Sequence, residues 1–339
     1  MNLLDSLLVS LLSPMVLAFL LGIAATLIRS DLKIPEQLYA ALTIYLLFAI
    51  GLKGGAKLDG VALADFARPL VAALALCLSI PLWTYAILRR AGRLASADAA
   101  ALAAHYGSVS VVTFGACLAF LDLHRVTHEP FLPALLAVME VPAILVALYL
   151  AGQSKLAASP RPVAASGFVA TGLPPVKAGV LRELFTSKGI VLLLGGMIIG
   201  LLTGKKGYEQ VGPLFDVPFR GVLTLFLLEV GLVTGGRLRD LKKAGPFLGA
   251  FAVIMPFLHG LLGVCLGKWA ELGVGGATVL GTLAASASYI AAPAAVRVAL
   301  PEANPALYLT SSLAITFPFN VVVGIPAYFT FARWLFAAG

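Results

Sequence analysis

What most constrains this chain is a succession of apolar runs, each near the roughly 20 residues that a helix needs to cross the hydrocarbon core of a bilayer. Hydrophobic residues fill 60% of its 339 positions and charged residues only 12%, against about 45–50% and about 25% in a soluble domain. A soluble fold of this composition would lack the polar surface to cover itself. In lipid every backbone N–H and C=O must be satisfied internally, so runs of this length select helices. Reading the runs gives ten spans: 7–29, 35–56, 67–90, 97–122, 130–151, 187–204, 213–236, 244–268, 273–300 and 304–336. The expected fold class is an all-α membrane protein, with membrane lipid as its solvent.

Charge and cysteine usage fit that class. The net charge of +8 does not point to nucleic acid, because Lys and Arg fall between the apolar runs, as loop charges do. Cys77, Cys117 and Cys265 lie inside apolar runs and read as small buried hydrophobes, not as a disulfide or metal framework. The first charge is Asp5 and no basic region precedes the first run, so that run reads as a retained span and not as a cleaved leader.

The stretch 152–186 is rich in Pro, Gly, Ser and Ala and reads as a linker between two five-span halves, 1–151 and 187–339. With ten spans, both termini share a side. Of the 24 Lys and Arg residues, nine fall on that side and fifteen on the other. Positive charge stays inside, which places the linker in the cytoplasm and both termini outside.

The halves resemble each other. Leu47–Leu58 (LFAIGLKGGAKL) aligns with Leu227–Leu238 (LLEVGLVTGGRL) at an offset of 180, with five of twelve positions identical. Ser108-Val109-Ser110 aligns with Ser286-Ala287-Ser288 at an offset of 178, and Glu140-Val141-Pro142 with Thr316-Phe317-Pro318 at 176. An odd number of spans per half makes the second half enter the membrane from the opposite side. The expected architecture is therefore an inverted-topology repeat, as in many secondary transporters. The alternative is that helices rich in Leu, Ala and Gly look alike by composition.

Corresponding interrupted segments are where such a carrier binds its cargo. The first is HYGSVSVVTFG, where Gly107 and β-branched residues weaken the helix. The second is SASYIAAPAAVR, where Pro293 cannot donate a backbone bond and clashes with the preceding turn. Half-helices beginning after the breaks aim free N–H groups and positive dipole ends at the gap. Gly107, Ser108, Ser110, Thr113, Ser286, Ser288, Ile290 and Ala291 are the candidate ligands of a small anion. The alternative is that these small residues only let helices pack closely. Glu140, an intramembrane carboxylate, is expected to face a cavity or a partner. With Thr316 and Asn320 it forms the candidate sodium set; a proton carrier or a structural hydrogen bond are the other roles open to it. Glu229 is as well suited to structural pairing as to function, and His105 and His259 read as structural or interfacial. Arg297 either snorkels to the interface or attracts an anion. The chain has no Walker A, HExxH or GxSxG sequence, so neither ATP-driven transport nor an enzyme is expected and no cofactor beyond a coupling ion is called for.

The runs SASYIAAPAAVRVALPEANPALYL, HYGSVSVVTF, FLPALLAVMEVPAILVA and LKIPEQLYAALTIYLLFAIGLKGGAKL resemble the sodium-dependent bicarbonate transporters over nearly the whole chain. PEANP (Pro301–Pro305) and MEVPA (Met139–Ala143) are the most specific parts. The resemblance implies core and gate domains, sodium-coupled bicarbonate uptake by an elevator-like movement, a homotrimer in a bacterial inner membrane, and a cytoplasmic PII-like regulatory partner. This sequence departs from the family at Tyr289, where cyanobacterial relatives carry an aspartate, and at Ala291 and Ala292, where the family break has glycine before its prolines. The rival readings are a sodium- or proton-coupled carrier of another small anion and a non-transporting membrane receptor.

Overall fold

The computed structural model describes residues 8, 11–58, 62–158, 182, 186–238 and 241–338. Among the described residues all regular structure is helical. In chain order the helices are α1 (Pro14–Leu27), α2 (Glu36–Lys57), α3 (Leu63–Arg90), α4 (Ser96–Gly107), α5 (Val111–Leu123), α6 (Leu132–Glu140) and α7 (Pro142–Ala158). After the linker come α8 (Lys188–Phe215), α9 (Val217–Arg237), α10 (Leu241–Trp269), α11 (Val274–Ala285) and α12 (Ala291–Ala299). The last is α13 (Pro305–Ala337), which loosens to π pitch over Thr310–Thr316 and Asn320–Gly324. The helix α7 carries the first half past 151 to Ala158; 159–181 and 183–185 of the expected linker lie outside the described residues.

Among the described residues eight spans are long and apolar enough to cross a membrane, which makes the chain a multi-pass membrane protein. The two expected spans that fall short are the first, α1, and the ninth, which the second break divides into α11 and α12. Leu17, Leu20 and Leu21 of α1, Ile198, Ile199 and Leu202 of α8, and Ile254 and Leu258 of α10 are exposed. That surface belongs against acyl chains. The interrupted pair α4–α5 is the opposite case: its most apolar window is 83% buried, against 28% for α8. Helices that are apolar all round sit inside a bundle, so the interrupted span is central and α8 is peripheral.

The helices form two groups. α2 packs along α8, α1 packs along α9, and these four also touch through α2–α9 and α8–α9. The second group joins α3 to α4, α6 and α7, and α10 to α11 and α13, with α5 against α11 and α12 against α4. Close approach in the first group rests on glycines four apart, a pattern that lets backbones meet in lipid. Gly51 and Gly55 of α2 lie against the Leu193 and Met197 backbone, and Gly196 and Gly200 of α8 against that of Phe48 and Leu52. Gly231 and Gly235 of α9 face Phe19, Gly22 and Thr26 of α1 in the same way, and the Thr26 hydroxyl donates to the Leu232 carbonyl at 3.1 Å. In both pairs the residue numbers rise together, so each pair is parallel. The repeated glycines of Leu47–Leu58 and Leu227–Leu238 are thus helix contacts.

One expected loop is helical. After 204 the sequence GKKG reads as a connection, yet α8 continues to Phe215. Gly204 adopts φ 60°, ψ −164°, a kink that suits a residue without Cβ, and the chain then restarts its helix.

Candidate functional site

Both expected breaks exist, and each begins with an extended serine. α4 ends at Gly107 and Ser108 takes φ −84°, ψ 170°; α11 ends at Ala285 and Ser286 takes φ −75°, ψ 158°. At Gly107 a side chain would run into Pro81 and Ala143, so the first break is packed too closely for a larger residue. In the second, Pro293 lies in the first turn of α12, where its missing N–H leaves no helical bond unmade. In an unbroken helix its ring would instead meet the Tyr289 carbonyl four residues earlier, so the unwinding falls upstream of the proline, at 286–290.

The two breaks touch. The Ser110 N–H donates to the Ser286 hydroxyl at 2.9 Å, and the Ser288 N–H donates to the His105 carbonyl at 2.8 Å. The second serine of each pair bonds the start of the half-helix that follows: Ser110, the N-cap of α5, accepts from Thr113 N–H, and Ser288, two residues before the Ile290 N-cap of α12, accepts from Ala292 N–H, both at 3.2 Å. The first serines are tied down. Ser108 donates to the Glu140 carbonyl and Ser286 to the Leu283 carbonyl, both at 2.8 Å. All four serines and Thr113 are buried. A capping hydroxyl accepts with a lone pair and keeps its hydrogen to donate, so Ser110 and Ser288 retain an O–H for a ligand. The first turns of α5 and α12, starting at Val111 and Ala291, add N–H groups without helical partners. Ile290 lines an apolar cavity with Val111, Val112 and Phe226, between the breaks and the four-helix group.

The candidate cation residues are less closely gathered. Glu140 ends α6, is buried, and has one carboxylate oxygen without a partner. Its carboxylate lies against the first turn of α8, where a Cβ on Gly189 would come within 3.1 Å of it. Thr316 instead donates to the Ala252 carbonyl at 2.7 Å and meets the Tyr106 hydroxyl at 2.8 Å. Asn320 donates to the Ala285 carbonyl at 2.8 Å, at the lip of the second break, and accepts from Tyr328 at 3.1 Å. Among the described residues no side-chain hydrogen bond joins either to Glu140.

The sequence model of the Na+-dependent bicarbonate transporter superfamily matches residues 14–333 of the chain. The chain belongs to that superfamily. No curated protein was found to match it. For a bicarbonate-transporter family member, several polar groups beside the breaks carry no motif of their own. Tyr106 reaches Thr316 from the last turn of α4, and Tyr39 of α2 stacks on Phe226 at 5.1 Å. Glu229 of α9 has a buried carboxylate oxygen without a partner. The histidines pack and bond as expected: His105 Nδ1 lies 2.6 Å from the Ala101 carbonyl, and His259 accepts from the Trp83 indole at 2.8 Å.

Proposed function

We propose that this protein is a secondary transporter that couples sodium to bicarbonate uptake, binding the anion where its two broken spans meet. Membership of the bicarbonate transporter superfamily supports the cargo. The observation that carries the site is the cross-connection of the breaks through Ser110–Ser286 and Ser288–His105. It gathers the capped N-termini of α5 and α12 into one buried place, where helix ends each supply roughly half a positive charge. A small anion is suited by such donors without a full cation beside it.

The architecture proposed with it is a ten-span inverted repeat with a four-helix gate and a core that carries the breaks. The parallel pairing of α2 with α8 and of α1 with α9 supports this. If α1 and α2 run opposite ways, α8 runs opposite to α1, and the second half enters from the other face. Elevator-like movement of the core, sodium as the coupling ion, a homotrimer in a bacterial inner membrane and a PII-like partner at the linker complete the proposal on the strength of the resemblance. The test is flux. Purified protein in liposomes is expected to accumulate labelled bicarbonate down a sodium gradient and to stop when choline replaces sodium. Flux of another anion, or flux indifferent to sodium, would assign a different cargo or coupling ion. Binding without flux would make the protein a receptor.

A further inference from the structure

The second break holds a polar group that neither capping nor packing uses. Tyr289 follows the capping Ser288. Its ring meets Phe317 of α13 edge-on at 5.6 Å and 78°, and Phe317 in turn meets Phe19 of α1 at 5.4 Å and 73°. These contacts hold the ring against α13, where Phe317 in turn reaches α1. The hydroxyl oxygen at its tip is buried close to Ser110, and among the described residues no group completes hydrogen-bond geometry to it. Buried hydroxyls in native proteins almost always have a partner, because one left unpaired forfeits its hydration for nothing. The described residues leave this one short of a partner. Two other O–H groups with a hydrogen to give, on Ser110 and Ser288, belong to the same crossing.

We propose that the Tyr289 hydroxyl is a direct ligand of the transported anion, donating a third O–H beside those of Ser110 and Ser288. This rests on reading the crossed breaks as the anion site. It narrows the cargo to small oxyanions, whose several acceptor oxygens suit several separate donors. A phenol is also neutral, so it can approach an anion without repelling it. Tyr289 is then a specificity-determining residue that binds cargo.

Tyr289→Phe keeps the ring and its edge-on contact with Phe317 while removing only the donor. In liposomes with an inward sodium gradient its half-saturating bicarbonate concentration is expected to rise about ten- to a hundredfold, the worth of one hydrogen bond to a charged ligand. Maximal rate, half-activating sodium and thermal stability without bicarbonate are expected to stay as in the unaltered protein, while stabilisation by added bicarbonate shifts to higher concentrations. Unchanged half-saturation in an otherwise working transporter overturns the role of Tyr289 and leaves the transport reading intact. A fall in maximal rate or stability with half-saturation unmoved overturns it too, by showing a structural role. If the unaltered protein neither moves bicarbonate nor is stabilised by it, the transport reading fails and the Tyr289 ligand fails with it.

Discussion

A serine hydroxyl has two lone pairs and one hydrogen, and Ser110 and Ser288 each use a lone pair to cap the half-helix that follows. Replacing either with alanine therefore does two things. It removes a cap, at about 1 kcal/mol, and it removes a donor to the ligand. At Ser110, the N-cap of α5, glycine separates them, because glycine at a cap position costs only a few tenths of a kcal/mol. Ser110→Gly and Ser288→Gly are each expected to raise half-saturating bicarbonate by about one to two powers of ten, with the unfolding temperature of Ser110→Gly in detergent nearly unchanged. If both transport normally, the serines are caps and nothing more. Glu140 poses a similar choice between ligand and strut. Its carboxylate lies against the first turn of α8 with room made by Gly189, at the end of a helix that favours negative charge. As a cation ligand it should be felt through sodium, since two negative groups in a poorly screened site repel. Glu140→Gln is expected to weaken sodium activation more than bicarbonate affinity at saturating sodium. Lower thermal stability with sodium activation intact would assign it to docking α8.

At the scale of helices, the glycines of α2 and α8 set the spacing. A methyl at Gly55 would overlap the Met197 carbonyl, whereas one at Gly195 would meet nothing within 4 Å. Gly55→Ala is expected to destabilise the protein by about 1–3 kcal/mol, the usual range for overpacking, and Gly195→Ala to leave the unfolding temperature in place. Equal effects would show that the α2–α8 contact is not tight. The glycine repeat was visible in sequence as similarity between halves, but its partners were not, because α2 meets α8 across more than a hundred residues of chain. The same limit explains the site. Span positions follow from hydropathy and the breaks from Gly107, Pro293 and the serine pairs, all local signals. That Ser110 would meet Ser286, that Thr316 would turn to Ala252 and Tyr106, and that the Tyr289 hydroxyl would end unpaired depend on the packing of distant helices. The extension of α8 past Gly204 was hidden because GKKG reads as a turn until the helix beyond it is seen.

In the whole molecule, the two helix groups meet at the breaks and also through charges at one end. Arg220 of α9 pairs with Asp122 of α5 at 3.4 Å, which joins the four-helix group to the other. Lys53 of α2 pairs with Asp216 at 2.8 Å, which stays within the four-helix side of the molecule. Both pairs are exposed, so neither contributes much stability, and their value is as markers of what moves against what. Lys53 and the Asp122–Arg220 pair line one cavity, together with Phe219. If the broken helices carry the anion across by sliding along a fixed gate, Asp122 must leave Arg220 while Lys53 stays with Asp216. The experiment begins by replacing Cys77, Cys117 and Cys265 with serine or alanine, which leaves the chain without native thiols. Cysteines then replace either Asp122 and Arg220 or Lys53 and Asp216, and a short bifunctional thiol reagent joins each pair. Joining 122 to 220 is expected to stop bicarbonate flux while leaving bicarbonate-dependent thermal stabilisation, since the site itself is untouched. Joining 53 to 216 is expected to leave flux near that of the reduced protein. Full transport by protein joined at 122 and 220 would mean that these two groups do not move past each other, and a fixed-frame mechanism with local gating would replace the sliding one.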